Sequence, residues 1–402
     1  MKRPVQIGLE HILDRRPRGV GNGRFGLLMN QASVDSEFRY ACDVLAERFP
    51  GQLAAIFSPQ HGLWGEEQAN MIESPDGRYE PLALPVYSLY SQTRQPMPEM
   101  LRGLDCIMID LQDVGTRVYT FAWTIQNCLR ACGAAGIPVV ILDRPNPLGG
   151  TIAEGPLLEP AYQSFVGGAT IPLRHGLTLG ELARLMNDEQ KIGATLEVVP
   201  MSGWRREMLW NATEDVPYSA FDRQWVAPSP NMPRLTTALL YPGQVLLEGT
   251  NVSEGRGTTT PFEVVGAPFI DPHALSARLN AFELPGLAIR PIRFVPTFDK
   301  WRGQRCGGVA LHVVEPRAVR SVAMTLHILA AIRELWPEDF AWLPPPYEYE
   351  REKMPIDILF GSPRLRESLM SENAVTDATI RELARLDEDA WWRRASPYLL
   401  YS

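Results

Sequence analysis

Long apolar runs are missing from this sequence of 402 residues, and no stretch approaches the roughly 18 apolar residues that a membrane-spanning helix needs. Two positive charges, Lys2 and Arg3, stand at the start of the chain. No apolar stretch of about 7–15 residues follows them, which argues against a secretory signal peptide. We therefore expect a cytoplasmic protein that has no membrane partner.

Cysteine is scarce, and its spacing shows no pairing pattern. The five cysteines are an odd number and contain no C-x-x-C pair, so the sequence supports neither a disulfide framework nor a zinc site. We expect buried, reduced thiols at Cys42, Cys106, Cys128, Cys132 and Cys306. The six histidines are scattered along the chain, so no metal site is expected.

An excess of basic charge is also absent, because the formal net charge is −8. A nucleic-acid surface needs a basic patch or stripe, and contact with an anionic membrane needs the same sign of charge. The sequence therefore predicts neither nucleic acid nor membrane as a partner. The hydrophobic content of 45% is that of an ordinary globular protein, long enough for two domains of about 150 residues or more.

Three common cofactor and nucleophile motifs are missing as well. A dinucleotide fingerprint would follow the first strand, but the glycines at 19, 21, 23 and 26 stand before or within it. There is no Gly-x-Ser-x-Gly elbow and no phosphate loop ending in Gly-Lys-Ser/Thr. We expect no nicotinamide, flavin or nucleotide, and no other cofactor.

Short apolar strands alternate with helical patterns in the first half of the chain, which is typical of a parallel, doubly wound α/β sheet. The predicted helices are 40–48, 98–102, 118–135 and 179–187, the last starting at a capping box formed by Thr178 and Glu181. The predicted strands are 25–29, 53–57, 106–109, 138–142 and 196–199.

A proline-rich segment, 228–233, divides the chain. Proline fixes φ and removes a hydrogen-bond donor, so this segment is expected to be extended and to mark a domain boundary. We predict one domain over 1–230 and a smaller α+β domain over 231–402. The second domain has candidate strands at 287–294 and 308–314 and a helix at 319–336.

Polar side chains follow three of the predicted strands, where ligand-handling groups gather in open α/β sheets. Gln60, His61, Glu66 and Glu67 follow the second strand. Asp110, Gln112, Asp113 and Arg117 follow the third, and Asp143, Arg144 and Asn146 follow the fourth. The ends of these strands are therefore predicted to build a polar site.

The carboxylates in these loops suggest glycosidic bond cleavage. That reaction needs an acid to protonate the leaving oxygen and a second group to stabilise or trap the cationic centre. Glu66, Glu73 and Asp113 are the candidates. Two alternatives stay open: Glu67 is merely solvated, and Asp113 forms a structural salt bridge with Arg117.

A second polar cluster lies at 248–258, where three glycines would let the backbone approach a ligand. Arg256 is suited to bidentate pairing with a carboxylate. A plain polar turn is the alternative reading of this cluster. His175 is interpreted as either a ligand-facing imidazole or a satisfied structural histidine.

Several multi-residue motifs, in order, resemble the NamZ-type exo-β-N-acetylmuramidases, from about residue 8 to the Tyr-Leu-Leu-Tyr ending at Tyr401. They are Ser58-Pro-Gln-His-Gly62, Asp110-Leu-Gln-Asp-Val-Gly-Thr-Arg-Val-Tyr-Thr120, Leu142-Asp-Arg-Pro-Asn-Pro147, Glu154-Gly-Pro156, Arg174-His-Gly-Leu-Thr-Leu-Gly-Glu181 and the segment 248–258. The resemblance implies a Rossmann-like N-terminal catalytic domain, a C-terminal auxiliary domain and a cleft between them. It also implies release of N-acetylmuramic acid from the non-reducing end of peptidoglycan fragments. Since the family is usually secreted, a cytoplasmic member would act on imported wall fragments in cell wall recycling.

One departure falls in the first motif, where the family often has glutamate and this chain has Gln60. An amide neither ionises nor donates a catalytic proton, and losing a general acid typically costs about 10²–10⁴-fold in rate. We expect Glu66 to replace it, with Glu73 or Asp113 orienting the sugar or stabilising the cationic centre. The acetamido group of the substrate is a candidate nucleophile.

The resemblance also suggests which side chains bind the sugar. Arg256 or Arg117 would pair with the lactyl carboxylate of muramic acid. The other expected substrate-binding residues are Asn30, Gln60, His61, Tyr119, Arg144, Asn146, His175, Glu248 and Asn251. Two other functions stay open: a non-catalytic amino-sugar-binding or sensing protein that lost activity through Gln60, and amide or ester cleavage in the same cleft. The sequence leaves the oligomeric state open.

Overall fold

The structure is a computed structural model that describes residues 5–14, 16–68, 71–210, 223–371 and 375–402. Among these residues, no helix combines the length and apolar character needed to cross a membrane. The same residues contain no group of three or more His, Cys, Asp or Glu side chains placed to hold a metal ion.

Among the described residues, seven strands form a sheet at the centre of the first half. Its strands are β1 (Phe25–Met29), β2 (Leu53–Ser58), β3 (Gly77–Tyr79), β4 (Leu84–Ser88), β5 (Cys106–Asp110), β6 (Val139–Leu142) and, after two strands outside this sheet, β9 (Leu196–Val199). The order is β3-β4-β2-β1-β5-β6-β9, and all neighbours are parallel except β3, which pairs antiparallel with β4 at one edge. The five predicted strands are confirmed, and β3 and β4 were missed.

Both faces of the sheet are covered, as a parallel sheet requires. Successive residues of β1 show this, because side chains alternate between the faces of a strand. Leu27 packs in one apolar cluster with Leu45 of the second helix, whereas Leu28 packs in another with Leu129 of the fourth. The N-terminal half is therefore the predicted doubly wound α/β fold.

Helices connect the strands and cover the sheet. The first five are α1 (Gly8–Asp14), α2 (Ala41–Arg48), α3 (Pro98–Leu101), α4 (Phe121–Ala135) and α5 (Leu179–Glu189). The predicted capping box is present at the start of α5, with Thr178 accepting from the Glu181 amide and Glu181 bonding back to the Thr178 amide. Helix α4 ends at Gly136, whose φ of 68° is the left-handed conformation that glycine adopts most readily.

The second half is built around a three-stranded antiparallel sheet in the order β10-β12-β11. These strands are β10 (Val264–Ala267), β11 (Leu287–Phe294) and β12 (Cys306–Val313), and the small ribbon before them pairs β7 (Glu154–Leu157) with β8 (Pro172–Arg174). The helices are α6 (Leu235–Gln244), α7 (Pro272–Asn280), α8 (Ser321–Leu335), α9 (Pro355–Phe360), α10 (Arg364–Met370), α11 (Asp377–Ala384) and α12 (Glu388–Ala395). This mixture confirms the predicted α+β second half.

The two halves share one apolar core. Leu240 of α6 and Val322 of α8 belong to the same buried cluster as Ile109 of the central sheet and Leu173 of β8. Helix α6 contacts β8 and α8 contacts β7, so the small ribbon of the first half joins the second half to this core.

The C-terminal residues return to the central sheet. The Tyr401 hydroxyl donates to Asp143 Oδ2 over 2.6 Å, at the carboxyl end of β6, and accepts from the Met201 amide over 3.0 Å. Asp143 also accepts from the Thr178 hydroxyl and the Gly180 amide. Burial raises the pKa of Asp143 to about 7. The C-terminal segment therefore satisfies a buried polar group of the sheet.

We expect Tyr401→Phe to lower the free energy of unfolding by about 1–3 kcal/mol, because the buried Met201 amide loses its acceptor and Asp143 loses a donor. Urea unfolding followed by circular dichroism measures this change. Tyr398→Phe is the matched control, since the Tyr398 hydroxyl donates to Asp188 at an exposed position. A loss in the control as large as in Tyr401→Phe would contradict the interpretation.

Candidate active site

A pocket opens where β2 and β5 end, and residues from both halves of the chain line it. Its atom-free space is about 430 Å³, counting the opening to solvent. The lining from the first half is Gln60, His61, Val118, Tyr119, Thr120, Val166 and Ser229, and the lining from the second is Asn231, Met232, Tyr241, Glu248, Arg256, Phe262, Tyr347 and Glu348. Five predicted site residues thus come together here: Gln60, His61, Tyr119, Glu248 and Arg256.

Gln60 occupies the turn that follows β2, and its amide orientation is set by one hydrogen bond. The Thr120 hydroxyl donates to Gln60 Oε1 over 2.7 Å. Because the oxygen of the amide is used there, the NH₂ group is left to donate elsewhere, and it hydrogen-bonds the carboxyl group of Glu348. Gln60 therefore links the sheet edge to a wall of the pocket contributed by the second half.

His61 presents a neutral imidazole to the pocket. Its Nδ1 lies 2.6 Å from the Glu67 carbonyl oxygen, which can only accept, so Nδ1 carries the hydrogen. Burial lowers the pKa of His61 to about 4, which keeps the ring uncharged at neutral pH. Nε2 is then a hydrogen-bond acceptor, suited to a hydroxyl or amide donor of a ligand.

Glu248 is held by charged and polar partners on both of its oxygens. Arg256 Nη2 donates to Oε1 over 2.7 Å, and the Tyr347 hydroxyl donates to Oε2 over 2.6 Å. Arg256 Nε also lies 3.1 Å from Glu254, whose other oxygen is 2.6 Å from Lys300 Nζ. These four charged groups alternate in sign, so the buried chain from Lys300 to Glu248 is electrically balanced.

Glu348 is a buried carboxyl group that the sequence analysis missed. The Tyr90 hydroxyl donates to Glu348 Oε2 over 2.9 Å. Burial raises the pKa of Glu348 to about 7, the Tyr90 and Gln60 hydrogen bonds oppose this rise, and the nearby Glu248 charge adds to it. The sequence around Glu348 gave no indication of a site. The segment Pro344-Pro-Pro-Tyr-Glu348 contains no glycine-rich turn and follows no strand.

Glu66 and Glu73 do not line the pocket. Glu66 is exposed, and its Oε2 accepts from the Trp64 amide over 3.1 Å. The half-exposed side chain of Glu73 pairs with Arg94 over 3.1 Å. The catalytic role predicted for Glu66 therefore has no support from its position, and it stays a prediction that a substitution can test.

Asp113 lies buried beside the pocket loop, paired with His175. His175 Nε2 is 3.4 Å from Asp113 Oδ2, and His175 Nδ1 accepts from the Leu177 amide. The alternative of a salt bridge between Asp113 and Arg117 is wrong. The guanidinium of Arg117 instead donates to four backbone carbonyls, those of Pro156, Ile171, Leu359 and Phe360.

The remaining predicted binding residues hold loops rather than line the pocket. Arg144 pairs with both oxygens of Asp110 at the end of β5. The side-chain amides of three asparagines donate to backbone carbonyls over 2.8–3.0 Å: Asn30 to Pro228, Asn146 to Leu177 and Asn251 to Asp339. Their predicted contacts with substrate stay predictions.

Two family models cover nearly the whole described chain. The model for the N-terminal part of exo-β-N-acetylmuramidase NamZ matches residues 25–236, and the model for the C-terminal part matches residues 239–401. The chain belongs to the NamZ exo-β-N-acetylmuramidase family. The two NamZ models meet next to the segment that contributes Ser229, Asn231 and Met232 to the pocket.

Similar proteins agree with membership in the NamZ family. The chain is 45% identical over 345 residues to the peptidoglycan β-N-acetylmuramidase NamZ of Bacillus subtilis strain 168, covering 85% of this chain and 81% of that protein. Two crystal structures of DUF1343 family proteins from Bacteroides fragilis NCTC 9343 have the same fold. One is 29% identical with a TM-score of 0.86 over 99% of both chains, and the other is 26% identical with a TM-score of 0.72 over 100% of this chain and 99% of that one.

The balanced charges around Glu248 predict a large stability cost when one is removed. Arg256→Met should lower the free energy of unfolding by about 3–5 kcal/mol, because Glu248 and Glu254 lose a buried partner. Chemical denaturation measures the change. Arg385→Met is the control, since Arg385 and its partner Glu382 are largely exposed and such pairs contribute less than about 1 kcal/mol. Equal losses in both variants would contradict the prediction.

Proposed function

We propose that this protein is an exo-acting glycoside hydrolase that releases N-acetylmuramic acid from the non-reducing end of peptidoglycan fragments. The observation that carries the proposal is the pocket between the parts matched by the two NamZ models, which contains two carboxyl groups in unlike surroundings. Glu248 has a cationic partner, whereas Glu348 is hydrogen-bonded by neutral groups. Glycosidases separate the roles of two carboxyl groups by such differences in environment.

The pocket is confined, because its atom-free space of about 430 Å³ already counts the opening to solvent. The terminal sugar is the part of a fragment best able to reach such a confined space while the rest stays outside. A confined pocket is therefore suited to cleavage from a chain end.

Polar groups inside the pocket are suited to hydroxyl and acetamido recognition. His61 offers an acceptor, and Tyr119, Ser229 and Asn231 offer hydroxyl and amide groups. Arg256 is already paired with two glutamates, so we assign it to the positioning of Glu248 rather than to the lactyl carboxylate. Arg117 is engaged with four carbonyls and does not line the pocket.

Gln60 favours a second candidate function, the binding of amino sugars without their cleavage. Its amide lines the pocket at the position of the first motif and cannot serve as an acid. Binding of muramyl ligands without product would favour this candidate, and a gain of hydrolysis in Gln60→Glu would indicate lost catalysis.

The proposed setting is the cytoplasm, with imported wall fragments as substrate and cell wall recycling as the process. The five cysteines are all buried free thiols, which is compatible with a reducing compartment. Fractionation of the producing cells, with activity assayed in each fraction, tests this location. Activity confined to the culture medium would contradict it.

The first test is incubation of the purified protein with a chromogenic β-N-acetylmuramic acid glycoside and with its N-acetylglucosamine counterpart. We expect chromophore release from the muramic glycoside alone, with free N-acetylmuramic acid confirmed by mass spectrometry. No release from either glycoside, with binding still detected by calorimetry, would favour the non-catalytic sugar-binding function. Products of amide or ester cleavage would differ in mass and overturn the glycosidase assignment.

A further inference from the structure

We propose that Glu348 is the acid that protonates the glycosidic oxygen, and that Gln60 and Tyr90 hold its carboxyl group in place. This assignment rests on the proposed function and names the proton donor for it. It places the donor on the second half of the chain, 288 positions after the glutamine that departs from the family motif.

Position is the first argument for Glu348. Within the described part of the chain, Glu248 and Glu348 are the two carboxylic side chains that line the pocket. Glu66 and Glu73 face solvent instead, with Glu73 paired to Arg94. A proton donor has to reach the glycosidic oxygen within hydrogen-bond distance, so a residue of the pocket wall is better placed than one outside it.

The two pocket glutamates have different partners, which suit them to different roles. Glu248 faces the fixed positive charge of Arg256, which favours a carboxylate. Glu348 accepts from the Tyr90 hydroxyl and the Gln60 amide, which are both neutral, and it is only 3% exposed. Burial without a directly paired cation favours the protonated carboxyl group, which is the form that a general acid needs.

Titratable groups surround Glu348 on all sides of the pocket. Tyr90, with Arg94 next to it, belongs to the first half, as does the neutral His61 across the pocket. Glu248, Tyr241 and Tyr347 approach from the second half. Burial and the Glu248 charge raise the pKa of Glu348 to about 7, while Tyr90, Gln60 and Arg94 oppose the rise, so a large fraction of the molecules carry a protonated Glu348 at neutral pH.

Glutamine at position 60 is suited to this arrangement. Thr120 fixes Gln60 Oε1, so the NH₂ group donates to Glu348 and keeps doing so after the proton has left. A glutamate at this position would place a second carboxyl group against Glu348, and two adjacent carboxyl groups share one proton rather than ionise independently. Gln60 therefore supports an acid at 348 without competing for its proton.

The backbone also constrains Glu348. Its φ is 43° and that of Tyr349 is 69°, so two successive residues other than glycine adopt the left-handed conformation. Such conformations persist where surrounding contacts enforce them, and they concentrate at functional sites. Here the Tyr347 hydroxyl bonds to Glu248 and the Tyr90 hydroxyl bonds to Glu348, which fixes the segment from both sides.

With the acetamido group of the substrate as the nucleophile, the proton that Glu348 gives up in the first step is regained in the second. Glu348 gives its proton to the glycosidic oxygen as the bond from that oxygen to C1 breaks, and the acetamido oxygen bonds to C1. Water then attacks C1 and the bond to the acetamido oxygen breaks, while the proton of the water returns to Glu348. The carboxylate of Glu248 offers negative charge to the cationic centre in both steps.

The test compares the wild-type enzyme with Glu348→Gln on two substrates. One is a disaccharide of N-acetylmuramic acid and N-acetylglucosamine, whose leaving oxygen needs a proton, and the other is the 4-nitrophenyl glycoside, whose leaving group does not. We expect kcat/KM, which reports the departure of the leaving group, to fall by about 10²–10⁴-fold on the disaccharide and far less on the nitrophenyl glycoside. Glu352→Gln is the matched control, an exposed glutamate of the same segment.

The pH profile supplies a second readout. Because the acid must hold its proton, wild-type kcat/KM on the disaccharide should fall as the pH rises above about 7. Tyr90→Phe removes a donor that lowers the pKa of Glu348, so this alkaline limb should move to higher pH. The Tyr90 variant also keeps the proposal testable if Glu348→Gln fails to fold.

Distinct results separate the two proposals. A wild-type enzyme that cleaves neither substrate would overturn the proposed function and the acid with it. An active wild-type enzyme with full disaccharide cleavage in Glu348→Gln, or an unmoved alkaline limb in Tyr90→Phe, would overturn the assignment of the acid alone. A loss that depends on the leaving group in Glu66→Gln rather than in Glu348→Gln would transfer the role to Glu66.

Discussion

The buried guanidinium of Arg117 is the contact on which the geometry of the site depends. Its terminal nitrogens bond to carbonyls of Pro156 and Ile171 in the first half and of Leu359 and Phe360 in the second. The next three residues, 118–120, line the pocket, and α9 follows closely after Glu348. One side chain therefore ties together the two parts whose meeting forms the pocket. Burial lowers the pKa of Arg117 to about 9, so it remains charged at neutral pH.

The two pocket glutamates have different roles because of how the two halves of the chain meet at the pocket. Glu348 receives its partners Tyr90 and Gln60 from the first half, whereas Glu248 receives Arg256 and Tyr347 from its own half. The environment of Glu348 therefore does not exist in one half of the chain alone. The motifs shared with the family and the contacts of the two carboxyl groups thus indicate the same site.

Sequence patterns predicted the central fold well because its signals are local. Buried parallel strands are continuous apolar runs, and Thr178 with Glu181 marks the start of α5 within four residues. The short strands β3, β7 and β8 were missed, since their three or four residues include glycine or proline and show no alternation. For the site, the motif after β2 contains Gln60 and His61, which both line the pocket. Glu348 was missed because its burial depends on Tyr90, which is 258 positions away, and no local pattern records such a contact.

The hydrogen bond between Tyr90 and Glu348 also has a consequence for biosynthesis. Ribosomes add about 5–20 residues per second, so on the order of 10–50 s separate the appearance of its two partners. Once residue 199 has been added, the central sheet has all its described strands, but the wall that carries Tyr347 and Glu348 has not been made. A nascent chain can thus begin to fold around its sheet while the pocket still lacks these two residues, which arrive only in the last quarter of translation.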